Sequence, residues 1–237
     1  MLAVIGGSGF YELGTEKKKE RVITPYGDAE VSFIKLNKNE LLFIPRHGKN
    51  HVIPPHKVNY RANVYALKKL GAKAALGSYA AGIISKYKPK DLIILDDLIC
   101  GGCHTYFDDF SDKVTHVDMS EPYDKKLQKL IIEAAGIHDI KMKKGGIIVS
   151  TSGPRFETKA EIKMFKKLGA NLVNMTSGPE TVLMREMEIP FAGIATGTNY
   201  AAGISKKKLT AEEVFDCMKI SKNRINLIVE ELTKFIE

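Results

Sequence analysis

Residues 145–180 read GGIIVSTSGPRFETKAEIKMFKKLGANLVNMTSGPE. A continuous apolar run gives way to a Ser/Gly/Pro loop, and the loop gives way to a helical pattern. Thr158 and Glu161 have the spacing of a capping box, in which each side chain satisfies the other residue's backbone N–H. A second apolar run, ANLVNMT, follows. Similar runs recur along the chain as LAVIGG, ELLFIP, AALGSYA, DLIILDDLI and PFAGIAT. Most are unbroken rather than alternating, as expected of strands covered on both faces. Helical patterns fall between them. NYRANVYALKKLG has Asn59 as N-cap and Gly71 as its stop. The C-terminal segment opens on Thr210 and Glu213. It continues as an apolar stripe of Val214, Met218, Ile225, Val229, Leu232 and Ile236. The pattern predicts one α/β domain over residues 1–237, with a central mixed, largely parallel β-sheet flanked by helices.

The 237 residues are enough to bury a sizeable core. No apolar run reaches the ~18 residues of a membrane span, and MLAVIGGSGF has neither the basic start nor the cleavage site of a signal peptide. A cytoplasmic protein with no membrane partner is expected. The net charge of +8 lies largely on lysines in helix-like stretches, without an Arg-rich stripe interleaved with aromatics. This reads as a solvated lysine surface and not as a nucleic-acid footprint. Three cysteines, Cys100, Cys103 and Cys217, are too few and too odd in number for a secreted disulfide scaffold. CGGCH is a lone CxxC without a second ligand pair, so reduced thiols or a local disulfide are expected, and no metal.

Polar residues gather just past the apolar runs, where α/β sheets bind ligands. They are Ser8, Arg46 with His47, Ser78, Thr176 and Asn199. GGSG at 6–9 can turn main-chain N–H groups toward an anion, or form a tight turn without one. It lacks the spacing and following helix of a dinucleotide fingerprint. PRHGKNHVIPPHK carries Arg46, His47, His51 and His56. Gly48, Pro54 and Pro55 argue against a helical metal pair, whereas a guanidinium suits oxyanions; a surface basic loop is the alternative. Phe156 can lie against a flat ring, and Glu157 can accept from a ring N–H or merely favour a helix N-terminus. Met175 and Thr176 present a soft apolar surface followed by a hydroxyl. Anion donors, a flat apolar surface, one amide and one carboxylate suit a site that holds phosphate against a ring-bearing substrate without a covalent intermediate.

With these residues in order, the chain resembles the 5′-methylthioadenosine/methylthioinosine phosphorylases of the trimeric purine nucleoside phosphorylase superfamily. The segments that carry the likeness are GGSGF, PRHGKNHVIPPHKVNYRANVYALK, SYAAG, HVDMSEPY, STSGPRFETKAE, NMTSGPE and ATGTNYAAG. The resemblance implies attack of inorganic phosphate on C1′ of a nucleoside, with no cofactor. It implies phosphate held by Ser8, Arg46, His47, the main chain at Tyr79 and Ala80, and Thr176. Tyr79 stands where the family usually has Thr, so only its backbone role carries over. Met175 would back the ribose. Phe156, Glu157, Asn199, Tyr200 and Ala201 would form the base site. Asn199 and His47 are the candidate catalytic groups. His116 would reach the 5′ end of a neighbouring subunit's substrate, in a homotrimer or a dimer of trimers.

Adenine-specific members of that family carry Asp at the positions of Asn199 and Ala201, and commonly Ser at that of Glu157. An amide can donate to a 6-oxo oxygen and accept from a protonated N7. A carboxylate accepts from the N1–H of hypoxanthine but would face a bare acceptor in adenine. A 6-oxopurine is therefore expected. Ala211 stands where relatives preferring a 5′-hydroxyl have His. With Val214 it would make a small apolar 5′ pocket, unless both simply face the core. Together these readings predict a methylthioinosine phosphorylase with activity on inosine or guanosine. The alternatives are a methylthioadenosine phosphorylase with an atypical base site, a phosphate-independent nucleosidase, and a non-catalytic nucleotide-binding module.

Overall fold

The computed structural model describes residues 1–10, 13–102, 104–107, 114–206 and 209–236. Among the described residues, nine strands form one sheet: β1 (Leu2–Gly6), β2 (Thr15–Thr24), β3 (Gly27–Leu36), β4 (Asn39–Pro45), β5 (Ala74–Ile83), β6 (Leu92–Cys100), β7 (Met142–Ser150), β8 (Leu172–Asn174) and β9 (Phe191–Tyr200). Five α-helices among the described residues flank it: α1 (Tyr60–Lys69), α2 (Lys125–Ile137), α3 (Lys159–Lys167), α4 (Ser177–Glu186) and α5 (Ala211–Phe235). The strand order is β2-β3-β4-β1-β5-β8-β7-β6-β9, and β9 pairs back onto β5. The last five strands of that order therefore close into a ring, with β2, β3, β4 and β1 extending from it.

The sheet is mixed. Pairings β1–β4, β1–β5, β5–β9, β6–β7 and β7–β8 are parallel, whereas β2–β3, β3–β4, β5–β8 and β6–β9 are antiparallel. Side-chain alternation sends successive residues to opposite faces. On β1, Ala3 and Ile5 enter one core cluster with residues of α1 and α4, while Leu2 and Val4 enter a second with residues of α2 and α5. This double coverage explains why the central strands read as unbroken apolar runs.

All seven apolar runs are strands. The capping box is formed: Glu161 N–H donates to the Thr158 side chain at 3.2 Å, and Thr158 N–H to the Glu161 carboxylate at 2.6 Å. Asn59 caps α1 by accepting from Ala62 N–H, and Gly71 follows the helix at φ 76°. That left-handed conformation is one glycine adopts at little cost.

Three features go beyond the sequence expectation. β2 and β3 form an antiparallel hairpin whose edge strand, TEKKKERVIT, is mostly exposed. Charged edge strands discourage further pairing, and their composition hides them from an apolar-run criterion. α2 is capped by Asp124, which accepts from Leu127 N–H at 2.7 Å. α4 is buried over its whole first turn, with Ser177, Gly178, Pro179 and Glu180 all inside. Among the described residues, no helix is long and apolar enough to cross a membrane.

Candidate active site

The strand ends converge on a cavity of about 210 Å³. The turn after β1 brings Ser8, and the turns after β4 bring Arg46, His47 and His51. The C-terminal half of β5 adds Ala80, Ala81 and Gly82. The loop after β7 contributes Pro154, Phe156 and Glu157, and the end of β8 gives Asn174, Met175 and Thr176. β9 supplies Thr198 and Asn199, with Ala201 just beyond it. The start of α5 closes one side with Leu209, Ala211, Val214 and Phe215. Twelve residues expected from the sequence thus share one wall: Ser8, Arg46, His47, Ala80, Phe156, Glu157, Met175, Thr176, Asn199, Ala201, Ala211 and Val214. Ala211 and Val214 border the cavity, so the reading of both as core-facing residues is set aside.

Tyr79, Tyr200 and His116 do not line this cavity. The Tyr79 side chain is fully buried among the core residues. There its hydroxyl donates to Glu180 Oε2 at 2.6 Å. Tyr200 is half-buried against the core, and its carbonyl accepts from Asn199 Nδ2 at 3.1 Å. His116 is exposed. Ser78 is fully buried and meets Arg46 through its carbonyl.

Arg46 is 2% exposed, and its charge is held by a partner from a distant part of the chain. Nε and Nη2 form a two-pronged contact with the Glu180 carboxylate, the second at 2.7 Å, and Nη1 donates to Ser78 O at 3.2 Å. The Tyr79 ring lies beneath the guanidinium, 4.7 Å from its carbon to the ring centroid. Burial opposes the Arg46 charge, but Glu180 more than offsets it, so the guanidinium stays protonated. Three of the five guanidinium N–H groups are directed at these partners, which leaves two for a ligand. A Cβ at Gly77 would meet the Tyr79 hydroxyl and ring, and one at Gly193 would come within 3.1 Å of that ring. The two glycines make the room that the phenol occupies.

His47 is 5% exposed, and its Nδ1 lies 2.8 Å from Ile53 O. A carbonyl only accepts, so Nδ1 carries the ring proton and Nε2 is left as an acceptor. Burial, with Arg46 next to it in effect, brings the His47 pKa down to about 4. His47 is therefore neutral at pH 7. It adds no second positive charge beside Arg46 and instead offers a lone pair to a proton-bearing oxygen.

The far side of the cavity is polar in a different way. Asn199 Oδ1 accepts from Thr198 Oγ1 at 2.7 Å. With Nδ2 donating to Tyr200 O, the amide is fixed in orientation, and one N–H and one lone pair remain for a ligand. Glu157 is 9% exposed and accepts from Thr151 Oγ1 at 2.8 Å. Burial raises its pKa, opposed by its own backbone N–H and by Thr151. Thr176 precedes α4 as its N-cap, yet its side chain makes no capping bond. Its hydroxyl thus stands at a helix N-terminus, a position that favours anions.

Sequence reasoning overlooked Glu180, Thr151 and Asn174. Asn174 is 8% exposed, lines the cavity, and has a buried Nδ2 without a hydrogen-bond partner among the described residues. Its place at the end of a short strand, beside Met175 and Thr176, was the available signal. Cys103 lies outside the described residues. Cys100 is half-buried and Cys217 buried, and burial raises both thiol pKa values. Among the described residues, no group of three or more His, Cys, Asp and Glu side chains is placed to hold a metal ion.

Residues 1–234 match the model of the phosphorylase superfamily, and the chain belongs to that family. It is 39% identical over 237 residues to a probable S-methyl-5′-thioinosine phosphorylase of Methanopyrus kandleri, covering 99% of this chain and 92% of the relative. It is 41% identical over 239 residues to a 6-oxopurine nucleoside phosphorylase of Pyrococcus furiosus, covering 96% and 90%. Among solved structures, it superposes with TM-score 0.92 and 30% identity on methylthioadenosine phosphorylase from Schistosoma mansoni in complex with adenine. That match covers 99% of this chain and 91% of the other. The fold is accordingly that of the purine nucleoside phosphorylases, and the enzyme class is that of a nucleoside phosphorylase, a pentosyltransferase.

Proposed function

We propose that the protein catalyses phosphorolysis of a 6-oxopurine nucleoside, with 5′-methylthioinosine as the preferred substrate and inosine and guanosine as further ones. The products are the free purine and 5-methylthioribose 1-phosphate, or ribose 1-phosphate. One observation carries the choice of base: Glu157 and Asn199 share a cavity wall with Ala201, which has no polar side-chain group. The carboxylate accepts from N1–H, while the amide donates to O6 and accepts from N7–H. Those roles match the one N–H and one lone pair that Asn199 has left. The relatives named for methylthioinosine and 6-oxopurine nucleosides support the same choice.

Phosphate is placed by Ser8, the two remaining Arg46 N–H groups, the main chain at Ala80, and Thr176. Neutral His47 accepts a hydrogen bond at Nε2 from the protonated oxygen of the phosphate, which leaves an unprotonated oxygen to act as nucleophile. As the C1′–N9 bond breaks, its electron pair moves into the purine, while a phosphate oxygen forms the new bond to C1′. The ribose is cation-like between the two events, so the phosphate is both electrostatic partner and nucleophile. The Asn199 N–H stabilises the charge gathering on O6, and its remaining lone pair accepts from N7–H once N7 has taken a proton from solvent water, so that the purine leaves as the neutral base; one such preorganised donor is worth about 10²–10³-fold in rate. Met175 backs the ribose and Phe156 packs on the base. Leu209, Ala211, Val214 and Phe215 supply an apolar wall suited to a methylthio group. Inorganic phosphate is a co-substrate and no cofactor is required. One sheet running through the chain supports residues 1–237 as one catalytic domain. A homotrimer, or a dimer of trimers, in the cytoplasm would let exposed His116 serve a neighbouring subunit's 5′ site.

The S. mansoni neighbour bound to adenine favours a second reading, a methylthioadenosine phosphorylase with an altered base site. Initial rates of base release from methylthioinosine, methylthioadenosine, inosine, guanosine and adenosine, with and without phosphate, test both. Phosphate-dependent hypoxanthine release well ahead of adenine release is expected. Faster adenine release would favour the second reading, and turnover without phosphate would indicate a hydrolase.

A further inference from the structure

Thr151 borders the base site without lining the cavity of about 210 Å³, and its hydroxyl meets the carboxyl group that we assign to the purine. We propose that Thr151 is a specificity-determining positioning residue, whose hydroxyl holds Glu157 as an oriented, ionised acceptor and so sets the preference for 6-oxopurines. The inference rests on the reading that Glu157 faces the purine N1.

The placement is rigid. Thr151 directly follows β7, and its N–H donates to Asn174 O at 2.9 Å, continuing the β7–β8 ladder by one residue. Its Oγ1 stands 2.8 Å from Glu157 Oε1 and 3.3 Å from Asn174 O. One hydroxyl proton cannot serve both acceptors well. The shorter contact to an ionised carboxylate is the stronger. With Oε1 engaged in this way, Oε2 is the oxygen left to accept from a substrate N1–H. If Glu157 took up a proton, the hydroxyl could turn to Asn174 O, and the carboxyl group would present a donor. A donor fits the bare N1 of a 6-aminopurine. The protonation state of Glu157 and the identity of the base are thereby linked through Thr151.

The groups around Glu157 agree with this. Arg155 precedes it on the same loop and favours the ionised form, whereas Glu161 at the start of α3 opposes it. Arg46, charged, and His47 and His51 line the same cavity from the turns after β4. The cavity-lining residues of β9 and α5 carry no titratable side chain. Burial is the largest influence and works against the charge, so the Thr151 hydrogen bond counts toward keeping it.

Thr151→Val keeps the side-chain shape and removes the donor, and Thr151→Ser keeps the donor. Methylthioinosine and methylthioadenosine form the substrate pair, because their common 5′ group cancels the other pocket. Losing a hydrogen bond to a charged group predicts a fall of about 10-fold or more in kcat/KM for methylthioinosine in Thr151→Val. Methylthioadenosine should be little affected, and the acid limb of the methylthioinosine pH profile should move to higher pH. Thr151→Ser should restore both. An equal loss on the two nucleosides, or an unmoved acid limb, would overturn the proposal. Glu157→Ser, measured alongside, separates it from its premise. If Glu157→Ser leaves the substrate ratio unchanged, the base-site reading fails. If Glu157→Ser shifts the ratio and Thr151→Val does not, only the role of Thr151 fails. In the Glu157→Ser background, Thr151→Val should produce no further change in the ratio.

Discussion

Replacing Tyr79 by Phe would remove a single oxygen from a fully buried cluster. The ring would stay beneath Arg46, and the Arg46–Glu180 contact would keep both prongs. Glu180 Oε2 would lose the 2.6 Å bond from the phenol and keep only that from Arg46 Nη2. A lost hydrogen bond to a buried charged acceptor costs about 1.5–3 kcal/mol. At about 2–4 °C per kcal/mol for a chain of this size, Tm should fall by roughly 3–12 °C. Part of the cost should reach the ligand, because Glu180 with one bond fewer draws harder on the guanidinium that faces the cavity. If a third of it is transmitted, KM for phosphate rises about 2- to 5-fold, with KM for the nucleoside nearly unchanged. Steady-state kinetics with each substrate varied in turn, together with thermal unfolding, would show this. A lower Tm with an unchanged phosphate KM would refute the link from Tyr79 to the anion site and leave the residue a core side chain only.

Further outcomes follow from other parts of the wall. Asn199→Asp combined with Glu157→Ser should move the kcat/KM ratio toward 6-amino nucleosides by about 10-fold or more, as one or two hydrogen bonds change sense; an unchanged ratio would contradict the base assignment. Ala211→His should improve inosine relative to methylthioinosine, and no shift in that ratio would count against the apolar 5′ wall. His47 has a folded-state pKa below its unfolded value, so its contribution is fully present above about pH 6.5 and is lost as pH falls toward about 4. That interval corresponds to about 3 kcal/mol. His47→Gln should therefore lose less Tm than the parent between pH 7 and pH 4.5, and parallel losses would contradict the burial of a neutral imidazole.

The central strands and the cavity wall were legible in the sequence for one physical reason. Strands covered on both faces must be apolar throughout, so the first polar residues beyond them mark where the sheet opens to a ligand. That logic located Ser8, Arg46, Thr176 and Asn199. It could not see β2, an edge strand written in Lys and Glu, or β3, whose buried Ala29, Val31 and Ile34 are interspersed with exposed polar residues. Nor could it see α4, whose SGPE opening is polar in sequence yet buried in the fold. The partners of the site residues were hidden more deeply. Glu180 is 134 positions from Arg46 and 101 from Tyr79, and only the chain's path through the sheet brings them together. Tyr79 illustrates the limit well. Its departure from the family's Thr was visible, but its direction depended on the face of β5 it takes and on the space left by Gly77 and Gly193.

The central claim is that Glu157 and Asn199 select a 6-oxopurine and that phosphate is the nucleophile. The most direct test is a side-by-side measurement of kcat/KM for methylthioinosine and methylthioadenosine at pH 7, with saturating phosphate and with none. The account predicts phosphate-dependent hypoxanthine release favoured over adenine release by at least about 100-fold, on the way to the ~10⁴–10⁵ that a well-matched polar site can reach. Equal or faster release of adenine, or release of hypoxanthine that does not require phosphate, would contradict it.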